Sequence, residues 1–427
     1  MAGAAGWAAA LLGLLPRGVD VAALALLHAP MFVFGPMPLF IAGFLLTAGP
    51  RWLNAPPVPA RSVALPVAGI VLGWTLAPGL ALAAGGIGLA RLSGLAGLAW
   101  GLGVAALSWL GLLARLWRLR GAADGGARGH FDLALAGVVV LVAGTGASAG
   151  CLALGQPAAL APIARAGLWC GLVTVFVAAS HRMLPFFGDG LPGPWQQRWP
   201  RLVPGLMLGA AWWMGLAAAI DAAMAVAASA PAQAPAGPLV NVQALRGLVG
   251  GLGTLAAGVV AGVSSLLVLH WARSPARRQP MMAMLHRALA WWTLGWWALA
   301  VAGWPWIGAA WRAALGTAGL HALMMGYLGG TLLAMATRIA ATQAGRPVAI
   351  DRIARWLEGG LQAAIALRLV AAVGPAFGPA LASSARADLP GQVAAAALPL
   401  AALGWAALAV AWGLRHAREL GLFTRRR

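Results

Sequence analysis

The sequence contains no lysine, one tyrosine, two cysteines and nine acidic residues in a chain of 427. Charged residues make up 9% of it, against about a quarter in a soluble protein. With no polar linker longer than about 15–20 residues, a chain of separate soluble domains is excluded. Cys151 and Cys170 form no CxxC pair, zinc spacing or disulfide framework, and read as small buried apolar residues. Among the carboxylates, Asp20, Asp124, Asp132, Asp189, Asp351, Glu358, Asp388 and Glu419 fall at the ends of apolar runs or in loops, and Asp221 alone lies within one. No two share a run, which argues against a carboxylate-based ion or proton pathway. Walker, HExxH, nucleophile-elbow and CxxCH patterns are absent. The N-terminus has no basic region before its apolar stretch, so no cleaved signal peptide is expected.

The net charge of +20 comes entirely from arginine. These arginines do not form a stripe interleaved with aromatics, so nucleic acid is not an expected partner. They sit in short groups between apolar runs, and 61% of the chain is hydrophobic with a mean hydropathy of +0.84. A run of about 20 apolar residues spans a bilayer. That rule gives eleven spans, near 21–49, 62–83, 86–114, 131–155, 157–181, 202–228, 243–271, 282–303, 309–337, 358–374 and 393–414, and a short twelfth at 2–16. The expected fold is an all-α, polytopic membrane helix bundle of about 12 transmembrane helices, a single integral-membrane domain over 1–427 with no fixed-period repeat. Tryptophans near span ends ("RWL", "WQQRW", "WPWIGAAW") fit an interfacial belt, and the bilayer is the expected partner.

Arginine placement orients the bundle. Of the 29, 22 lie after even-numbered spans, in groups such as Arg115, Arg118, Arg120 and Arg128, or Arg338, Arg346, Arg352 and Arg355. The positive-inside rule makes those exits and both termini cytoplasmic. If the stretch at 2–16 does not cross, only the N-terminus changes side. The other seven arginines lie at opposite ends or within spans.

Ionisable groups inside a membrane are costly and mark function by default. Four of the seven histidines are expected at interfaces or in solvent: His130 in a glycine-rich loop, His181 and His270 at span ends, His416 in the basic tail. His28, His286 and His321 lie inside apolar segments. At 1.5 Å per residue His28 sits about 11 Å and His321 about 18 Å from the outer end of its span, so the two are expected to face one cavity, while His286 enters about 6 Å from the cytoplasmic side. Met31 follows His28 by three residues; Met324 and Met325 follow His321 by three and four. Thioether with imidazole suits haem iron or Cu(I), although methionine in a membrane core is more often packing. Gly326 and Gly330 form a GxxxG pattern that admits another helix or a flat cofactor.

Three stretches together resemble the NnrS family of bacterial inner-membrane proteins. In "LHAPMFVFGPMPLFIAGFLLTAGPRW", His28, Phe34, Gly35, Gly43, Phe44, Leu45, Leu46, Thr47 and Ala48 fall in the family's register. In "HRMLPFF", Arg182, Pro185, Phe186 and Phe187 match. In "LHALMMGYLGGTLLAMATRIAATQAGRP", His321, Ala322, Gly326, Gly329, Gly330, Met335, Thr337, Arg338, Gly345, Arg346 and Pro347 match. "MLHRALAWWTLGWW", with His286, is a weaker fourth element. The similarity runs over nearly the whole chain. Departures are Pro30 for a second family histidine, Met31 for a glutamate, and Gln343 for a histidine before the Gly-Arg-Pro turn.

The resemblance implies a twelve-span inner-membrane protein linked to nitric-oxide metabolism or nitrosative stress, with haem and copper as implied cofactors and nitric oxide as the implied small-molecule partner. His28, His321 and His286 are then the candidate ligands, with Met325 and Met31 as soft accessory donors. The residues leave open whether the protein is an enzyme. The competing expectations are a cofactor-free membrane permease and a respiratory assembly factor.

Overall fold

The computed structural model describes residues 21–86, 91–123, 128–187, 202–228, 242–345, 350–377 and 389–419, and these are helical throughout apart from turns. The helices are α1 (Val21–Phe34), α2 (Pro36–Leu53), α3 (Ala64–Gly86), α4 (Arg91–Gly121), α5 (Arg128–Ala153), α6 (Leu160–Ala166), α7 (Val173–Phe187), α8 (Leu202–Ala228), α9 (Val242–Ala272), α10 (Pro280–Ala302), α11 (Ala309–His321), α12 (Gly330–Gln343), α13 (Arg352–Phe377) and α14 (Leu389–Glu419). Six-residue and eight-residue π-helical segments, Gly167–Leu172 and Ala322–Gly329, join α6 to α7 and α11 to α12. Among the described residues nine helical stretches are long and apolar enough to cross a membrane, and Ala64–Ala77 is a shorter apolar helix. The short stretch at 2–16 lies outside the described residues.

Charge and proline set the ends differently from hydropathy alone. The stretch expected at 21–49 is two helices: Gly35 breaks it and Pro36 starts the second, since proline lacks the N–H that a continuing helix needs. A Cβ on Gly35 would lie 2.5 Å from the Met31 carbonyl oxygen, so the break requires glycine. α2 ends on Asn54 in the left-handed region (φ 51°), and the turn after α12 passes through Gly345 (φ 66°). α12, α13 and α14 all continue past their apolar runs, to Gln343, from Arg352 and to Glu419.

The described residues form two compact units, those within Pro16–Phe186 and Gln197–Gly253, and Phe187 with those within Thr254–Arg427. In the first, α5 crosses α6–α7 at paired glycines. A Cβ on Gly137 would meet Val175 at 2.7 Å and the Gly171 carbonyl at 2.8 Å, while one on Gly171 would meet Leu141 at 2.7 Å. In the second, α10 crosses α11 in the same way. A Cβ on Gly295 would meet Leu323 at 2.7 Å and the Gly319 carbonyl at 3.0 Å, and one on Gly319 would meet Leu299 at 2.9 Å. Lipid supplies no hydrophobic drive between helices, so such backbone-close packing holds them together. Leu65, Trp100, Leu107 and Trp356 stand exposed on the outer faces, as suits a surface solvated by lipid.

Candidate functional site

Each sequence-selected histidine has a defined environment. His28 lies on α1, half-buried, its ring 5.2 Å from that of Phe32. Met31 is also half-buried, and its carbonyl accepts the Gly35 N–H at the helix break. His286 on α10 meets the Val268 carbonyl of α9 with Nε2 at 2.9 Å. A carbonyl only accepts, so Nε2 donates.

His321 is the last residue of α11, where the π segment begins. Its Nδ1 lies 2.8 Å from the Thr317 carbonyl oxygen, one turn back. Nδ1 therefore donates, which in the neutral ring leaves the lone pair on Nε2. A carbonyl holding the distal ring N–H is the arrangement that orients a ligating histidine and raises its basicity. π segments frequently mark functional sites. The wider turn keeps Met325, at i+4, near the face of His321 and carries Met324 further round.

The structure corrects one reading of the GxxxG pair. Gly326 and Gly330 face α10, where a Cβ would meet Trp291 at 2.4 Å and Ala288 at 3.2 Å. That space is filled by a helix, which leaves no slot for a flat cofactor. Among the described residues nothing lies within 4 Å of a Cβ on Gly43, and Thr47 returns its hydroxyl to the Gly43 and Phe44 carbonyls. Thr337 accepts the Trp412 indole N–H at 3.3 Å, beside Arg338 on α12. Arg182 and Pro185 fall on the last turns of α7, while Arg346 and Pro347 lie outside the described residues. Gln343 ends α12, exposed and about 30 Å along the helix from His321, so its departure from the family pattern does not touch that histidine. His286 is also remote: its neighbour Ala288 packs on Gly330, nine residues, or about 13 Å, beyond His321.

Three features escaped the sequence. His130 and His181, expected at interfaces, meet with Nε2 to Nδ1 at 2.7 Å and rings 5.0 Å apart and nearly parallel, at 14°. One ring must donate and the other accept, so the pair shares at least one proton. The usable signal was that both sit at the same side of consecutive, antiparallel spans. Asp221 gathers Arg246 at 2.8 Å and Arg165 at 3.8 Å, which accounts for two of the arginines at outer ends. His416 is not in a solvated tail: it is buried on α14 with its ring 4.6 Å from that of Trp412.

Among the described residues no three of His, Cys, Asp and Glu gather to hold a metal. A closed zinc centre or a three-histidine copper centre does not fit these residues. One imidazole with a thioether on the same helix, His321 with Met325, fits the donor chemistry of haem iron or Cu(I).

An all-helical chain with nine such helices among its described residues and polar groups held at mid-span is a multi-pass membrane protein. The family model described as NnrS protein matches residues 1–422, nearly the whole chain. The chain belongs to the NnrS family. No curated protein and no solved structure matches it.

Proposed function

We propose that the protein acts in the bacterial cytoplasmic membrane in nitric-oxide metabolism or the response to nitrosative stress, through an intramembrane haem or copper held by His321. Twelve spans with both termini cytoplasmic complete this reading. The family assignment supports the link to nitric oxide, and the arginine distribution supports the orientation. The observation that carries the site is the Nδ1–H of His321 donated to the Thr317 carbonyl. It fixes the tautomer with Nε2 as the donor atom toward a metal, about 18 Å from the start of α11. Met325 is the accessory donor. His28, in the other unit, is a separate candidate ligand of the same donor chemistry, and His286 stands apart. Bound metal supplies a redox centre at a depth that nitric oxide, small and neutral, reaches through lipid.

The test is an optical spectrum and metal analysis of the purified protein. The expected result is a Soret band or stoichiometric copper that changes on adding nitric oxide. His321→Ala loses it, with His321→Gln as the milder variant, and His286→Ala retains it. Protein with neither haem nor copper overturns this reading and leaves a cofactor-free permease in its place.

A further inference from the structure

The second unit holds a cation inside the membrane that no group among the described residues neutralises. Arg368 lies on α13, nine residues, about 14 Å, short of its end at Phe377. The buried face of α13 is formed by Leu357, Leu361, Ala364 and Ile365. Arg368 follows Leu361 by seven residues and Ala364 by four, so it extends that stripe rather than the exposed one of Ala366 and Val370. Among the described residues its guanidinium has no hydrogen-bond or ion-pair partner. The two carboxylates of this unit whose side chains are described are both engaged at the other end of the helix. Asp351 pairs with Arg415 at 2.9 Å, and Glu358 pairs with Arg287. Glu358 is ten residues, about 15 Å, from Arg368.

Two registers place Arg368 within about 6 Å of the height of His321. The Trp311 and Phe377 rings meet at 4.7 Å, tying α11 to α13. His321 is ten residues from that contact and Arg368 nine, on antiparallel helices, so their heights differ by about 2 Å. Independently, Trp291 donates to Gln362 at 2.7 Å, and six residues on, Arg368 is level with Trp297. Gly295 packs on Gly319 of the antiparallel α11, so Trp297 is level with Thr317, four residues, about 6 Å, from His321. The same layer thus holds the guanidinium, the imidazole and the start of the π segment.

A half-buried arginine within a span, with no carboxylate beside it, is tolerated when a ligand supplies the negative charge. A guanidinium presents two parallel N–H donors that match a planar oxyanion. We propose that Arg368 binds a small, planar, monovalent oxyanion of the carboxylate or nitrogen-oxide type within the membrane, in the layer of His321. That the anion lies beside a metal centre rests on the functional reading above; the anion site itself does not.

The test is isothermal titration of the purified protein in detergent with sodium formate and sodium nitrate, and with phosphate as the tetrahedral comparison, the metal content being measured on the same samples. The expected result is saturable binding of formate and nitrate, weakened about ten- to a hundredfold in Arg368→Gln. Arg368→Lys, which keeps the charge and loses the fork, covers the case in which the glutamine variant does not fold and weakens binding at least about tenfold. Absence of binding by the unaltered protein, or equal binding by the Arg368→Lys or Arg368→Gln variant, overturns the proposal. Preferential binding of phosphate also overturns it, because it marks a lipid-headgroup contact. Anion binding in protein without haem or copper supports this proposal and refutes the metal reading.

Discussion

Gly326→Ala tests the packing of the π segment directly. The added Cβ would lie 2.4 Å from both Cβ and Cγ of Trp291 and 3.0 Å from Cδ1, where ordinary contact begins at 3.4 Å. Relief needs a shift of about 1 Å, and the two offending atoms stand too close to the backbone of α10 to rotate away. Trp291 is further pinned by its indole N–H donated to Gln362 at 2.7 Å. Overpacking of this kind costs about 1–3 kcal/mol. If the ring tilts, the lost hydrogen bond adds roughly 1 kcal/mol. The helical preference of alanine over glycine returns about 1 kcal/mol. The expected net loss is about 0–2 kcal/mol if the ring stays in place and about 1–3 kcal/mol if it tilts. Gly330→Ala is the internal control: its Cβ meets the Ala288 methyl at 3.2 Å, which yields a few tenths of an ångström, so the change is close to neutral. Gly43→Ala meets nothing within 4 Å and gives at most the propensity gain of about 1 kcal/mol. The assay is SDS-induced or thermal unfolding in detergent. Trp291→Ala added to Gly326→Ala should then cost less than it costs alone, because the clash has gone. If Gly326→Ala and Gly330→Ala are equally stable, the close crossing of α10 by the π segment is wrong.

Other substitutions read other contacts in the same unfolding assay. Asp221→Asn leaves Arg246 and Arg165 facing each other and should cost about 1 kcal/mol, whereas Arg165→Gln, removing only the 3.8 Å partner, should cost less; the reverse order refutes the assignment of Arg246 as the main partner. His130→Leu strands the His181 ring nitrogen and should cost roughly 1 kcal/mol more than His130→Gln, which keeps a polar partner; equal losses would show that the short contact carries no hydrogen bond. Burial pushes the Asp351 carboxyl up, but the Ala354 N–H and the Arg415 guanidinium pull it down further, so it ends below its ordinary value. Its folded form is then the more acidic. Its contribution is fully present above the ordinary carboxylate range and fades as pH falls through the lower folded value. The side chain is nearly half exposed, so the effect is small, and Asp351→Asn should flatten the acid limb of a stability–pH profile without changing the neutral plateau by more than the loss of one exposed pair.

The membrane architecture was legible because it depends on composition summed over about 20 residues, and no local detail reverses that sum. Helix ends were less legible. Arg338, Arg352 and Arg415 were read as exits from the apolar region, yet helix continues through Arg338 and Arg415 and already begins at Arg352, since a backbone outside hydrocarbon can remain helical while its side chains reach water. The same error put His416 in a tail rather than against Trp412. His321 stood out as a polar residue in an apolar run, but its Thr317 acceptor did not, because a backbone carbonyl leaves no mark on sequence. Arg368 was visible inside a span and was passed over as one of seven arginines outside the topological pattern. Only the phase of the buried face of α13 separates it from an arginine reaching for the interface.

The absence of a repeat in the sequence hides a repeated device in the structure. Each unit, taken by itself, pairs a helix glycine with a second glycine in or beside a π segment, and the residue four further on from each glycine packs over the opposite one: Leu141 and Val175 on Gly171 and Gly137, Leu299 and Leu323 on Gly319 and Gly295. Sequence comparison misses this because the intervals differ: 34 residues separate Gly137 from Gly171, and 24 separate Gly295 from Gly319. A π segment inserts an extra residue into one turn, so it rotates everything after it relative to everything before. The glycine contact fixes the helix on one side of that rotation. In the second unit the rotation begins at His321. The imbalance between the units then has a chemical meaning: the corresponding segment of the first unit carries Trp169 and Cys170, neither of which offers an imidazole to the interior. Shared packing with unequal polar groups makes the crossing a common scaffold and His321 the polar group that distinguishes one copy of it.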